Sequence, residues 1–222
     1  TQELYNNLCI NGINNAFLVD YPMLDCISKK KIEEAKKSFN LPLDIPILGC
    51  IGGTSGYKGL DFLIDALNNV KKRCCLFVAG SVVGFDQDFI DERLKNENVK
   101  LILLLRRLSD EEFADAVQAS DIIMLPYRNG FDGASGILIE SLFHNKHVIG
   151  SNHGSMGDLI TKYELGRTFE TNNLEDLINK INMDIDIPYE LTDKAKEYKR
   201  KLLPERFLEL NKNVYELCMK FQ

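Results

Sequence analysis

What the chain lacks narrows it first. Its apolar runs are short, Leu101–Leu105 among them, against the roughly 20 residues that a membrane helix needs. No span is therefore expected. No basic stretch followed by an apolar one stands near the N-terminus, so no signal peptide is expected either. The six cysteines form no CxxC pair and show no zinc spacing, which reads as reduced, structural thiols in a cytoplasmic protein. His144, His147 and His153 lack the spacing of a helical metal pair with a third ligand. A serine-hydrolase elbow, Gly-x-Ser-x-Gly, is missing too. Basic residues are not in excess: 27 Lys and Arg stand against 33 Asp and Glu, a net charge of −6. That speaks against a duplex nucleic-acid partner but leaves room for a small anionic ligand in a local basic pocket. There is no internal repeat and no low-complexity segment.

The 222 residues, 45% hydrophobic and 27% charged, suit one large globular domain or two small ones. Residues 1–13 read as a helix ending at Gly12, 17–24 as extended, and Ser28 as the cap of a helix through Phe39. Apolar strand-like runs then alternate with amphipathic helices. Strands fall at 45–52, 74–80, 99–105, 121–127, 147–152 and 167–169. Helices fall at 59–72, 87–96, 109–120, 134–144 and from about 156, and three more close the chain. Ser109 followed by Glu112 spells a capping box. Strands apolar on both faces, separated by helices, predict a parallel sheet covered on both sides, an α/β Rossmann-like fold. In such sheets ligands lie outside the carboxyl ends of the strands. The segments expected there, 52–59, 80–86, 126–136 and 150–157, are all rich in Gly, Ser or Asn.

Two of those segments carry chemistry. "GGTSGYKG" (52–59) is neither a Walker loop nor a dinucleotide fingerprint, because Tyr57 separates Gly56 from Lys58 and the glycines have the wrong spacing. It does present Lys58 at a helix N-terminus, where dipole and free amides favour an anion; a surface lysine beside a turn is the plainer alternative. "GFDGASGILIESL" (130–142) places Ala134, Ser135 and Gly136 at a second helix start, with free amides. Glu140 follows one turn later, and its carboxylate suits a ribose diol. Asp132 could reach the far end of a ligand, or simply cap the helix.

The order of these features resembles the C-terminal half of a GT-B glycosyltransferase, in particular the retaining enzymes of family 4, over about residues 10–220. Gly52–Gly59 resembles that family's Gly-Arg…Glu-Lys-Gly loop. Asp132…Glu140 matches its acid-x7-Glu motif. "NKHVIGS" is similar to its Gly-x-Pro-Val-Ile strand, and "GSMGD" to the Gly-Gly-x-x-Glu loop that follows. "ERFLELNKNVYELC" resembles its last helix, which crosses back to the N-terminal domain. Gly53 stands where the family has arginine, His147 where it has proline, and Asp158 where it has glutamate.

The resemblance implies transfer of a sugar from a nucleotide diphosphate sugar to an acceptor hydroxyl, in glycan or polysaccharide synthesis, with no cofactor and no obligatory metal. Lys58, the amides of Ala134, Ser135 and Gly136, the loop residues Gly53 and Thr54, and Arg106 or Arg107 would hold the diphosphate. Glu140 would hold the ribose and Asp132 the sugar, and the base would lie between Phe85 and the 99–108 segment. Expected domains are an interdomain helix and linker at 1–20, a nucleotide-sugar-binding domain at 21–203, and a C-terminal helix at 204–222. That helix would pack toward an acceptor-binding domain absent from the sequence, which would leave the isolated chain inactive. A cytoplasmic place, or one at the inner face of the membrane, follows. The alternatives are a non-catalytic nucleotide-sugar-binding module, an epimerase or hydrolase on the same fold, and a generic nucleotide domain binding NAD or ATP.

Overall fold

The computed structural model describes residues 2–20, 22–23, 26–130, 133 and 135–219. Six strands form a single parallel sheet: β1 (Ile47–Ile51), β2 (Cys74–Ala79), β3 (Val99–Leu104), β4 (Ile122–Leu125), β5 (His147–Ser151) and β6 (Gly166–Phe169). Their order is β3-β2-β1-β4-β5-β6. The helices are α1 (Gln2–Ile10), α2 (Ile32–Ser38), α3 (Leu60–Leu67), α4 (Gln87–Arg93), α5 (Asp110–Ala119), α6 (Gly136–Phe143), α7 (Gly154–Tyr163), α8 (Leu174–Asp184), α9 (Asp193–Lys201) and α10 (Pro204–Met219).

The strands are continuous apolar runs because each serves two cores. Ile47, Ile51, Cys75, Phe77, Ile123 and Leu125 enter one core, with α2, α5, α6, α7 and α9. Leu48, Cys50, Cys74, Leu76, Ile122 and Met124 enter the other, with α3, α4 and α8. Alternate residues of a strand point to opposite faces, so adjacent Cys74 and Cys75 lie in different cores, both as free thiols.

The expected helix starts are met where capping is local. Ser109 accepts from the Glu112 amide at 3.2 Å and its own amide donates to the Glu112 carboxylate at 3.0 Å. Ser28 is a correction. Its hydroxyl donates to Asp115 on α5 at 2.6 Å, and the helix begins only at Ile32. The Ser28 oxygen accepts from the Lys30 amide at 3.2 Å, which makes a tight turn ahead of the helix rather than its cap. The second glycine-rich helix likewise begins at Gly136, with Ser135 as its N-cap, rather than at 134. No helix among the described residues is long and apolar enough to cross a membrane. Helix α10 buries none of its described residues, and Leu208, Tyr215, Leu217 and Met219 face outward.

At the amino edge of the sheet Lys146 is 4% exposed, its ammonium donating to the Gln118 carbonyl at 2.7 Å. Burial pushes its pKa down to about 8; nearby Lys36 adds to the shift and Asp121 opposes it. Below that value the folded chain keeps a desolvated charge. Between about 8 and the ordinary lysine value the unfolded chain binds more protons, so stability rises with pH. We expect Lys146→Met to lack this rise. In urea unfolding, the difference between wild type and variant should move toward the wild type by about 1–3 kcal/mol from pH 7 to pH 10. A difference independent of pH would refute it.

Candidate functional site

The chain runs outward from β1 through β2 to β3, then crosses back to β4 on the other side of β1. Connections leaving β1 and β4 diverge at this point, opening a crevice at the carboxyl ends of these strands. The two loops singled out in the sequence are its walls.

One wall follows β1. Gly52 and Gly53 turn the chain, a short 3-10 turn spans Gly56–Lys58, and Gly59 adopts a left-handed conformation (φ 68°) to begin α3. Lys58 Nζ donates to the Gly52 carbonyl at 2.6 Å. Burial lowers the pKa of this half-buried ammonium, and the neighbouring Cys50 thiol acts in the opposite sense. Burial pushes Cys50 itself up to about 11, so it stays a neutral thiol beneath the lysine.

The other wall follows β4. Gly59 packs so tightly on the Pro126 carbonyl that a Cβ would stand 2.1 Å from it. The Arg128 amide donates to the Tyr57 carbonyl at 2.8 Å, and the Arg128 guanidinium reaches Asp61 in the first turn of α3 at 2.5 Å. The rings of Tyr57 and Tyr127 meet edge to face at 5.9 Å. Burial pushes Tyr127 up to about 12, opposed by its hydrogen bond with Ser135. Ser135 accepts from the Leu138 amide at 3.4 Å. The first amides of α6 thus open toward the same edge as Lys58.

The structure brings Lys58, Ser135 and Gly136 to this crevice, whereas Gly53 is buried against the Ser81 backbone of the loop after β2. Asp132 and Ala134 lie outside the described residues. Glu140 is 3% exposed, with His144 Nδ1 3.8 Å from its Oε2. The tautomer of His144 follows from its contacts: Nε2 accepts from the Ser28 amide at 3.0 Å, so Nδ1 carries the proton and donates to the Glu140 carbonyl at 2.8 Å. Burial lowers the His144 pKa, keeping the ring neutral.

Other expected contacts are placed differently. Thr54 is fully buried and its hydroxyl accepts three backbone amides, so it faces the protein rather than a ligand. Arg106 is engaged by Glu112 through two bonds, of 2.8 and 2.5 Å, an exposed pairing that a ligand would have to break. Phe85 stacks on Phe89 with centroids 4.5 Å apart, which occupies one face of the ring proposed for the base. His147, which the sequence places at the beginning of a strand and not at the ligand, does start β5 and is bound to Asp184 at 2.8 Å. His153 does lie at the ligand edge, as N-cap of α7. Sequence reasoning missed Arg128 and Tyr127, although both directly follow the proline that ends β4. A groove of about 850 Å3 adjoins the Ser135 end of the crevice, lined by Pro22, Asn152, Asp158, Tyr163 and Phe207.

The sequence profile of glycosyl transferases group 1 matches residues 31–202. The chain belongs to this family. An uncharacterized glycosyltransferase of Methanocaldococcus jannaschii is 28% identical over 169 residues, which cover 75% of this chain and 46% of that protein. Among solved structures, sucrose-phosphate synthase of Thermosynechococcus elongatus superposes with a TM-score of 0.73 at 17% identity, over 99% of this chain and 57% of the other. Anabaena HepE in complex with UDP and glucose gives 0.64 at 20%, over 87% and 53%. The C-terminal domain of a group 1 family protein of Francisella tularensis gives 0.58 at 18%, over 82% and 91%. The group 1 chain described here thus spans about half the length of the first three and most of the last, and it shares the fold of the GT-B C-terminal half.

Proposed function

We propose that the chain is the donor-binding half of a glycosyltransferase that moves a sugar, with retention, from a nucleotide diphosphate sugar to an acceptor hydroxyl in glycan or polysaccharide synthesis. One observation carries this reading. The strand order sets the Lys58 loop and the Ser135–Glu140 segment on the two walls of one crevice, at the place where open α/β sheets bind nucleotides. The family match and the UDP bound to Anabaena HepE support it.

In this scheme the departing diphosphate gathers negative charge as the sugar becomes oxocarbenium-like. Fixed positive charge and amides at the leaving group lower that barrier; Lys58 and the amides at the start of α6 supply them. Glu140 takes the ribose diol, in a site so far withdrawn from water that its hydrogen bonds are strengthened. Asp132 takes sugar hydroxyls. No resident cofactor enters the scheme. The acceptor is held by a further domain, because transfer needs both partners positioned together.

A thermal-shift series with UDP, GDP, ADP and their sugar conjugates tests donor binding, since a ligand of the native state raises apparent stability. We expect a shift with at least one nucleoside diphosphate and no release of sugar to acceptors by the chain alone. No shift with any of them would sink the reading, and acceptor-dependent turnover would remove the need for a second domain. Glu140→Gln should weaken the nucleoside diphosphate by about 1.5–3 kcal/mol and abolish preference for ribose over 2′-deoxyribose. A variant that keeps that preference would refute the ribose assignment.

A further inference from the structure

Thr54 has a use that its place in the glycine-rich loop does not announce. Its hydroxyl oxygen accepts from three successive amides of the loop after β2: Val83 at 3.1 Å, Gly84 at 3.3 Å and Phe85 at 3.1 Å. Its own amide donates to the Ser81 carbonyl at 3.1 Å. Successive amides turned to one point commonly hold an anion; here a neutral, fully buried hydroxyl fills the hollow.

The backbones around this knot touch without side chains between them. A Cβ on Gly53 would stand 2.7 Å from the Ser81 carbonyl oxygen, one on Gly80 2.2 Å from the Gly53 nitrogen, and one on Gly84 2.7 Å from the Thr54 carbonyl oxygen. The loop that carries Lys58 therefore cannot shift unless residues 80–85 shift with it. The same knot holds Val82 and Val83 out to solvent, 49% and 69% exposed, at the ligand edge.

We propose that Thr54 is a positioning residue: its hydroxyl joins the loops after β1 and β2 into one body, so that the grip of Lys58 on a diphosphate depends on the amides of residues 83–85. This rests on the nucleotide-sugar reading above and adds a residue that acts without touching the ligand. Serine keeps the hydroxyl, whereas valine keeps the shape and takes away the acceptor that three part-buried amides share.

The test compares wild type, Thr54→Val and Thr54→Ser. Amide hydrogen exchange is followed by NMR without ligand, and UDP and uridine are titrated by calorimetry. In the valine variant we expect the amides of Val83, Gly84 and Phe85 to exchange about 10-fold faster or more, and UDP affinity to fall about 10-fold with uridine changing less. Serine should restore both. Thr54→Ala serves if the valine variant does not fold. Unchanged exchange would overturn the joint itself. Faster exchange with unchanged UDP affinity would overturn its part in binding. Failure of the wild type to bind UDP, GDP or ADP would be a separate result: it would end the nucleotide-sugar reading and the positioning role together, while the exchange rates still decide whether the joint exists.

Discussion

Alanine in place of Gly59 is expected to cost about 2–6 kcal/mol of stability, the sum of a strained left-handed residue and an overpacked contact. Gly59 has φ 68°, and its missing Cβ would stand 2.1 Å from the Pro126 carbonyl oxygen and 3.1 Å from the carbonyl carbon. Both atoms belong to backbone, so the clash is relieved only by parting the loop after β1 from the loop after β4. Against a typical net stability of about 5–15 kcal/mol, this is a large share. It also separates the two walls of the crevice, so nucleoside diphosphate binding should fall with it. Gly56→Ala is the internal control. That glycine has nothing within 4 Å of its would-be Cβ and no left-handed φ, and the change should stay within about 0.5 kcal/mol. Urea unfolding of both variants decides the matter; equal midpoints would mean that the contact with Pro126 is not what holds the walls together.

Removing the one cation of the β1 loop should weaken binding of phosphate in particular. We expect Lys58→Ala to lose about 1.5–3 kcal/mol toward whichever nucleoside diphosphate the chain binds, the range for hydrogen bonds to a charged group, and much less toward the matching nucleoside. The loss should shrink in high salt as the charge is screened. Wild-type affinity should also fall as pH rises. Burial lowers the Lys58 pKa, so its charge disappears at a lower pH than that of an exposed lysine, and the variant should lack this decline. Calorimetric titrations with that nucleoside diphosphate and its nucleoside across pH 7–10 measure all of it. An equal loss for both ligands would show that Lys58 supports its loop through the Gly52 carbonyl and does not meet phosphate.

The local features of the fold were legible because their causes are local. The capping box of Ser109 and Glu112 needs only residues three apart, and it forms as spelled. The segments 74–80 and 121–127 read as doubly buried strands because their middles are apolar without alternation, and the strands that form, Cys74–Ala79 and Ile122–Leu125, are covered on both faces. Ser28 shows where such reasoning stops. Its spelling suits a cap, yet its oxygen closes a turn on the Lys30 amide, its proton goes to Asp115, 87 residues away, and the helix starts only at Ile32. Arg106 shows the same limit for the site. Its place at the end of β3 suggested a phosphate contact, while its two bonds to Glu112 depend on how α5 turns after the strand.

By itself the sequence determined the fold class and the order of its elements, because alternation, capping and glycine turns act over a few residues. It also marked Lys58 and the Ser135–Glu140 segment as chemically suited to an anionic, ribose-bearing ligand, since charge and free amides at helix starts are local properties. Only the tertiary structure decided that these two segments share one crevice. Their meeting depends on β4 lying beside β1 rather than beside β3, a choice made by the packing of both cores. Tertiary structure also decided that Thr54 faces inward, because its three partners come from a strand loop about 30 residues further on, and no pattern within "GGTSGYKG" encodes them.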